Sequence, residues 1–210
     1  MAGLRAAQKE MTRRLLLSTA LELFESKGFA ATTVDEIAAA AGTTRVTFYA
    51  YFPSRSDLMR ELIGELNQTL ERISDPEHGS TANSLVTAVR DGERAGIAAW
   101  LVDVSKHWDA IRPYTKAGWE AAAVDPELRG LVDQWVDEVV ADIETGLTEA
   151  GRFDPASRRP RGVLAFAQLD HVARIWAQGR SQQEIDGMLE VLADSWTHLL
   201  GDGEAGVQGS

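Results

Sequence analysis

Apolar residues recur along this chain at three- and four-residue spacing. No stretch alternates apolar with polar β-branched residues in the manner of a half-buried strand. The pattern predicts an all-α protein of about nine helices. A leading helix over Thr12–Lys27 places Leu16, Ala20, Leu23 and Phe24 on one stripe, and Gly28 suits its C-terminal stop. In "TTVDEIAAAAG" (residues 32–42), Thr33 followed three residues later by Glu36 is a capping box, which predicts a short helix from Val34 to just before Gly42. A second short helix spans Thr44–Phe52. Pro53 ends it, because proline lacks an amide donor and disfavours helical geometry in the residue before it. Ser54 caps a helix reaching about Ile73, with Asp57 beside its positive end.

"SDPEHGS" (residues 74–80) reads as a turn and as the boundary of a second, larger part. Five or so longer helices follow. One covers Ala82–Trp108 with a break near Asp91–Gly92, another runs from near Pro113 to Val124, and "DPEL" at Asp125–Leu128 opens a third that reaches about Ala150. Residues 151–162, "GRFDPASRRPRG", read as a loop. The last two helices are expected at Gly162–Ala177 and Gln182–Leu200, the second announced by a capping box of Ser181 and Glu184. The organisation is therefore a domain over 1–53, a linking helix over 54–73, a domain over 74–200, and a tail over 201–210 with too little to bury to be ordered.

The second short helix poses the functional question. At about 100° per residue, Phe48 and Phe52 share one face, while the opposite face centres on Val46 and Ala50 with Arg45, Thr47, Tyr49 and Tyr51 on its flanks. Two short helices joined by a Gly-containing turn form a helix-turn-helix, whose second member can lie in a DNA major groove. Hydroxyls of Thr44, Thr47, Tyr49 and Tyr51 suit phosphate oxygens, and Arg45 is long enough to reach a guanine edge. Val46 and Ala50 are small enough for close approach. Arg55 adds a cation near the start of the next helix. Polar surface residues on an ordinary helical hairpin fit the same pattern.

Charge sharpens the choice. The net charge of −11 over 210 residues opposes a polyanionic partner, but residues 1–60 carry eight basic and six acidic side chains, a net of +2, and the other 150 carry 13 and 26, a net of −13. A polyanion is tolerated only by the first part. There is no Cys, so disulfides, thiolate metal sites and Cys nucleophiles are excluded. No apolar run approaches the roughly 20 residues of a membrane span, and the charged N-terminus does not read as a signal peptide, so a cytoplasmic location is expected.

Across Thr12–Ile63 the sequence is similar to the N-terminal domain of the TetR family of transcriptional regulators. The resemblance rests on "LF" and "KGF", "TTVDEIA", "AG", "TFY", "YF" and a basic residue followed by Leu58, in that order. It implies a homodimer of Ω-like, all-helical subunits, each with a small DNA-binding domain and a larger domain that dimerises and holds an effector. By position it implies DNA contacts at Thr33, Thr44, Arg45, Val46, Thr47, Tyr49, Tyr51 and Arg55. The chain departs from the family in having Thr43–Thr44 where Val-Ser is common, Val46 where Gly is frequent, and Arg55 where Lys is usual.

Five of the six tryptophans, Trp100, Trp108, Trp119, Trp135 and Trp176, lie in the middle of the acidic part. Aromatic walls suit a cavity for an apolar effector, and they equally suit a filled core. "YTKAGWEAAAVDPEL" and "RGVLAFAQLDHVARIWA" also resemble the effector domain of one branch of the family, in which an elongated aromatic pocket takes apolar ligands oriented by a polar side chain on the penultimate helix. The resemblance places Asp170 as the orienting side chain, and with the tryptophan set the expected ligand site is Trp100, Trp119, Trp135, Phe166, Asp170 and Trp176. The alternative for Asp170 is an ion pair with Arg174 four residues on. The broad apolar faces of the last two helices point to a dimer interface of Val172, Ile185, Met188, Leu189, Leu192, Trp196 and Leu199, or to closure of the subunit's own core.

No catalytic, metal or cofactor site is expected. His78, His107, His171 and His198 are scattered. Asp103 with His107 and Asp194 with His198 have i,i+4 spacing, but no third ligand is suggested, and no nucleophile elbow or phosphate loop is visible. The expected partners are an operator duplex, a small-molecule effector and a second copy of the chain, with a helical protein-interaction adaptor or, less readily, a metal-dependent helical enzyme as the alternatives.

Overall fold

The computed structural model describes residues 2–75, 79–176 and 180–201; His78 and most of the expected tail lie outside them. The elements are α1 (Ala2–Lys27), α2 (Val34–Ala40), α3 (Arg45–Tyr51), α4 (Arg55–Thr69), β1 (Ile73–Asp75), β2 (Gly79–Thr81), α5 (Asn83–Asp91), α6 (Arg94–Ser105), α7 (Trp108–Val124), α8 (Pro126–Glu149), α9 (Pro155–Trp176) and α10 (Gln182–Leu200). The all-α expectation holds, with two three-residue strands paired antiparallel at Ile73–Thr81 and Asp75–Gly79.

Several boundaries differ from the sequence reading for identifiable reasons. α1 begins ten residues before Thr12, because Ala, Leu, Gln, Lys, Glu and Arg favour helix without needing an apolar stripe. Thr12 caps nothing there; its hydroxyl donates back to the Gln8 carbonyl at 3.0 Å. The expected loop at 151–162 is largely helix. Asp154 accepts the amide of Ala156 at 2.8 Å and Pro155 takes the first helical position, the same device as in "DPEL". Pro113 and Pro160 each stand at the sixth position of their helices, so each forfeits one amide bond only a turn from the start.

The break between α5 and α6 falls at Gly92, whose φ of 68° is left-handed. A side chain there would run into the guanidinium of Arg152. That guanidinium donates to the Val89 and Arg90 carbonyls, both at 2.6 Å, and to the Leu200 carbonyl at 3.2 Å. Arg152 thereby satisfies carbonyls that the end of a helix leaves without partners.

By packing the chain divides into two compact units, residues 1–67 with 111–134, and residues 68–110 with 135–201 among those described. The first unit has a continuous apolar core. Leu16, Leu17, Ala20 and Phe24 of α1 meet Phe29, Ile37 of α2, Phe48 and Phe52 of the α3 segment, and Leu58, Met59 and Leu62 of α4; Ala117, Ala121 and Leu128 complete it. Phe24 and Phe29 lie 5.0 Å apart by ring centroids, and Phe48 and Phe52 5.7 Å.

In the second unit α10 packs on α6 and α9. Trp196, 1% exposed, stacks on Trp100 at 5.6 Å and 20°. A buried polar network fastens the hairpin to α8. Arg72 reaches Asp142 at 2.9 Å and donates to the hydroxyl and carbonyl of Ser80 at 2.9 and 2.8 Å, while Asp142 also accepts from the Thr81 hydroxyl at 2.6 Å and the Ala82 amide at 3.0 Å. Removing one member strands the others in a dry site. Asp142→Ala is therefore expected to lower unfolding free energy by about 3–5 kcal/mol, read as the change in urea midpoint at unchanged slope; a loss within about 0.5 kcal/mol, the size of an ordinary surface change, contradicts the assignment.

Candidate nucleic-acid interface

The candidate surface is built on three seven- to fifteen-residue helices of the first unit. α2 starts with the expected capping box. Thr33 accepts the amide of Glu36 at 3.3 Å, and the Glu36 carboxylate takes both the amide and the hydroxyl of Thr33 at 2.8 Å, as well as the Lys27 ammonium. The Lys27 bond first, then the Thr33 amide and hydroxyl, pull the Glu36 carboxyl down from 4.5 to about 2. Gly42, at φ 64°, makes the left-handed turn out of α2. Thr44 then caps α3 by accepting the Thr47 amide at 3.2 Å, and the two hydroxyls lie 3.0 Å apart.

α3 has two sides. Phe48 is fully buried and Phe52, at the C-cap, nearly so. Arg45, Val46, Tyr49 and Ala50 are exposed, Val46 to 81% and Tyr49 to 42%, and Thr44 is exposed beside them. An isolated valine that open on a short helix buries nothing within its own unit. The Tyr49 ring stands edge-on to Phe48 at 5.6 Å, which props the phenol away from the core. Arg45 reaches Asp35 of α2 at 3.2 Å and the Tyr49 hydroxyl at 3.4 Å. Asp35 was absent from the sequence-derived set; its only signal there was its place in the first turn of α2.

Among the eight sequence-derived DNA contacts, Thr33, Tyr51 and Arg55 are tied to groups away from the outward side of α3. The Thr33 hydroxyl is engaged by Glu36. Tyr51 is half-buried against the core cluster. Arg55 lies over the Phe29 ring at 4.4 Å and donates to the carbonyls of Phe29, at 3.1 Å, and Thr32. The Phe29 carbonyl also accepts the Thr32 amide at 3.2 Å, and Arg55 of α4 adds a charged donor to it and to the Thr32 carbonyl. Arg55 is thus a fastener of the 29–32 segment rather than a free phosphate arm.

The sequence-derived effector residues are divided between the two units. Trp119 belongs to the first unit and the other five to the second. There they enter separate aromatic pairs: Trp135 with Phe166 at 6.1 Å, Trp108 with Trp176 at 5.9 Å, and Trp100 with Trp196. The Trp176 indole donates to Asp109 at 2.9 Å, and Asp170 pairs with Arg174 at 2.8 Å, as its alternative reading has it. Trp100 also borders an open cleft of about 530 Å³ with Ser84, Thr87, Asp91 and Glu93. That cleft is open rather than enclosed. Among the described residues no group of three metal-ligating side chains occurs, and no helix is long and apolar enough to cross a membrane.

The sequence-derived dimer residues divide by burial, and four of them take the alternative reading, closure of the subunit's own core. Ile185, Leu189, Leu192 and Trp196 are buried inside the second unit, because α10 turns that stripe toward α6 and α9. Val172, Met188 and Leu199 are half-buried. Apolar surface on these helices is instead exposed at Val163, Leu164 and Val191, to 50%, 56% and 68%.

Residues 16–62 match the family model described as "Bacterial regulatory proteins, tetR family". The chain is 33% identical over 130 residues to the HTH-type transcriptional regulator EthR of Mycolicibacterium smegmatis, a match covering 60% of this chain and 56% of that protein. It is 42% identical over 62 residues to the HTH-type transcriptional regulator AcrR of Shigella flexneri, covering 30% and 28%. The chain thus spans little more than half the length of one relative and under a third of the other. In fold it is similar to NalD, the secondary repressor of the MexAB-OprM multidrug efflux pump in Pseudomonas aeruginosa (TM-score 0.66, 19% identity, 93% and 98% of the two chains), and to SmeT in complex with triclosan (TM-score 0.66, 17% identity, 95% and 96%).

The Glu36 cap has a pH signature. A carboxyl depressed in the folded state contributes stability that is complete above its ordinary value of 4.5 and fades as pH falls toward about 2. An NMR titration should place the Glu36 midpoint near 2, with α2 amide protection falling over the same range. A midpoint at the ordinary value contradicts this geometry.

Proposed function

We propose that this chain, whose residues 16–62 match the model of the tetR family of bacterial regulatory proteins, is a ligand-responsive DNA-binding regulator of that family, a repressor released from its operator by a small apolar effector. The observation that carries the reading is the two-sided α3: Phe48 and Phe52 anchor it inward, and Arg45, Val46, Tyr49 and Thr44 face out. A seven-residue helix held this rigidly can enter a major groove, with the threonine and tyrosine hydroxyls on phosphates and Arg45 on a base edge. Contacts at Thr33, Thr47 and Tyr51 are peripheral in this reading. The match to EthR covers 130 residues, more than the helices of the candidate interface account for, which supports a regulator with a further domain beyond them. The aromatic pairs Trp135–Phe166 and Trp108–Trp176 are the candidate walls for the effector.

Two copies are needed for operator spacing, since half-sites one turn or more apart require two reading heads. The exposed Val163, Leu164 and Val191 supply the dimer surface, with Val172, Met188 and Leu199 at its edge. An effector releases DNA only as far as it binds the DNA-competent and DNA-free arrangements unequally. A cytoplasmic site of action follows from this role.

Selection of genomic fragments by the purified protein should recover a two-fold symmetric sequence. Binding to it should fall with salt at a slope of about −5 or steeper in log K against log concentration, the response to about six phosphates per dimer. Arg45→Ala is expected to relax preference at one base pair per half-site, and Tyr49→Phe to weaken all duplexes alike. A flat salt response, or no enrichment of any sequence, contradicts the reading.

A further inference from the structure

The outward face of α3 has an acidic neighbour that phosphate contact alone does not explain. Asp35, in the first turn of α2, meets Arg45, the first residue of α3, across the inter-helix turn: Nη1 lies 3.2 Å from Oδ2 and 3.5 Å from Oδ1. The other terminal nitrogen, Nη2, donates to the Tyr49 hydroxyl at 3.4 Å, and the guanidinium carbon stands 5.5 Å from the Tyr49 ring centroid. All three side chains are exposed. The neighbouring Glu36 has its charge answered by Lys27 and Thr33. Asp35 has Arg45.

Stability does not account for the arrangement. An exposed pair with long contacts contributes little in water. Its effect changes when a duplex arrives and displaces that water, because the attraction between the two charges then grows. Should Arg45 swing to a phosphate, Asp35 is left unpaired beside a polyanion. Should Arg45 stay with Asp35, its planar fork keeps one direction, and its remaining donors can meet a guanine O6/N7 edge.

We propose that Asp35 is a specificity-determining positioning residue: it holds Arg45 for a base edge and penalises duplexes that offer Arg45 only phosphate. The inference rests on the DNA-binding reading above. Discrimination arises here by building a cost against wrong partners as well as a contact to the right one.

The test uses the duplex recovered by fragment selection, the same duplex altered at the base pair whose preference Arg45→Ala relaxes, and an unrelated duplex. Affinities of the wild type, Asp35→Ala, Arg45→Ala and the double variant are compared at one salt concentration, with thermal melting showing that each is folded. Asp35→Ala should bind the unrelated duplex about threefold or more tighter, since a repelling charge is gone. It should also lose about fivefold or more of the discrimination at the Arg45 base pair. In the Arg45→Ala background, Asp35→Ala should change nothing at that pair. Undiminished discrimination in Asp35→Ala, or losses that add independently in the double variant, overturn the proposal. So does a loss at a different base pair, which would mean that Asp35 reads a cytosine amino group itself. A wild type that selects no sequence overturns the regulator reading and this inference together; a selective wild type with an indifferent Asp35→Ala overturns this inference alone.

Discussion

Phe48 and Phe52 bury their rings among Phe24, Phe29, Ile37 and the first turns of α4, and the candidate interface depends on that burial. A seven-residue helix has no stability of its own, because nucleation is unfavourable and few hydrogen bonds follow it. α3 exists because one side of it enters a core. Burial of each phenylalanine contributes about 1.5–3 kcal/mol, and it also sets rotation. With Phe48 inward, Val46 and Tyr49 must point outward and Arg45 must lie near Asp35. The capping of α3 by Thr44 fixes where it starts, and Gly42 fixes the direction from which it is entered.

Local signals of high specificity were legible. Both capping boxes, Thr33–Glu36 and Ser181–Glu184, occur as read, and so does the stop of α3 before Pro53. The inward pair Phe48 and Phe52 followed from period alone. What the sequence hid depends on side chains meeting at a distance in the chain. Nothing local says that Arg55 will lie over Phe29, 26 residues earlier, or that Arg152 will gather carbonyls from Val89, Arg90 and Leu200. α10 is apolar enough that its stripe suits a partner subunit or its own core equally; only packing on α6 and α9 assigns Ile185, Leu189, Leu192 and Trp196 to the core. The start of α9 was missed for a different reason. "DP" at Asp154–Pro155 is the same start signal as "DP" at Asp125–Pro126, but the basic run and Pro160 after it read as loop.

Both units carry surface ion pairs, and among the described residues only the second has a charged pair inside it. In the first, cations are placed at the surface of a mostly apolar core, and several are held by acids: Arg13 by Glu61, Lys27 by Glu36, Arg60 by Asp57 and Arg45 by Asp35. In the second, a charged pair is taken inside: Arg72 and Asp142 are both nearly inaccessible, Arg72 donates to Ser80 of the hairpin, and Asp142 accepts from Thr81 and Ala82 at its end. Such a network tolerates no partial arrangement, since a half-satisfied member is an uncompensated charge. It gives the two short strands a definite register that three residues of backbone pairing alone would leave weak.

The central claim is that the outward side of α3, held by its buried phenylalanines, is the surface that meets DNA. The direct measurement is backbone and side-chain NMR shift mapping of the folded protein as a selected duplex is added. The account predicts that the largest changes fall on Thr44, Arg45, Val46 and Tyr49, with Phe48 and Phe52 keeping their core environment. Changes concentrated elsewhere while that side of α3 stays silent would contradict it.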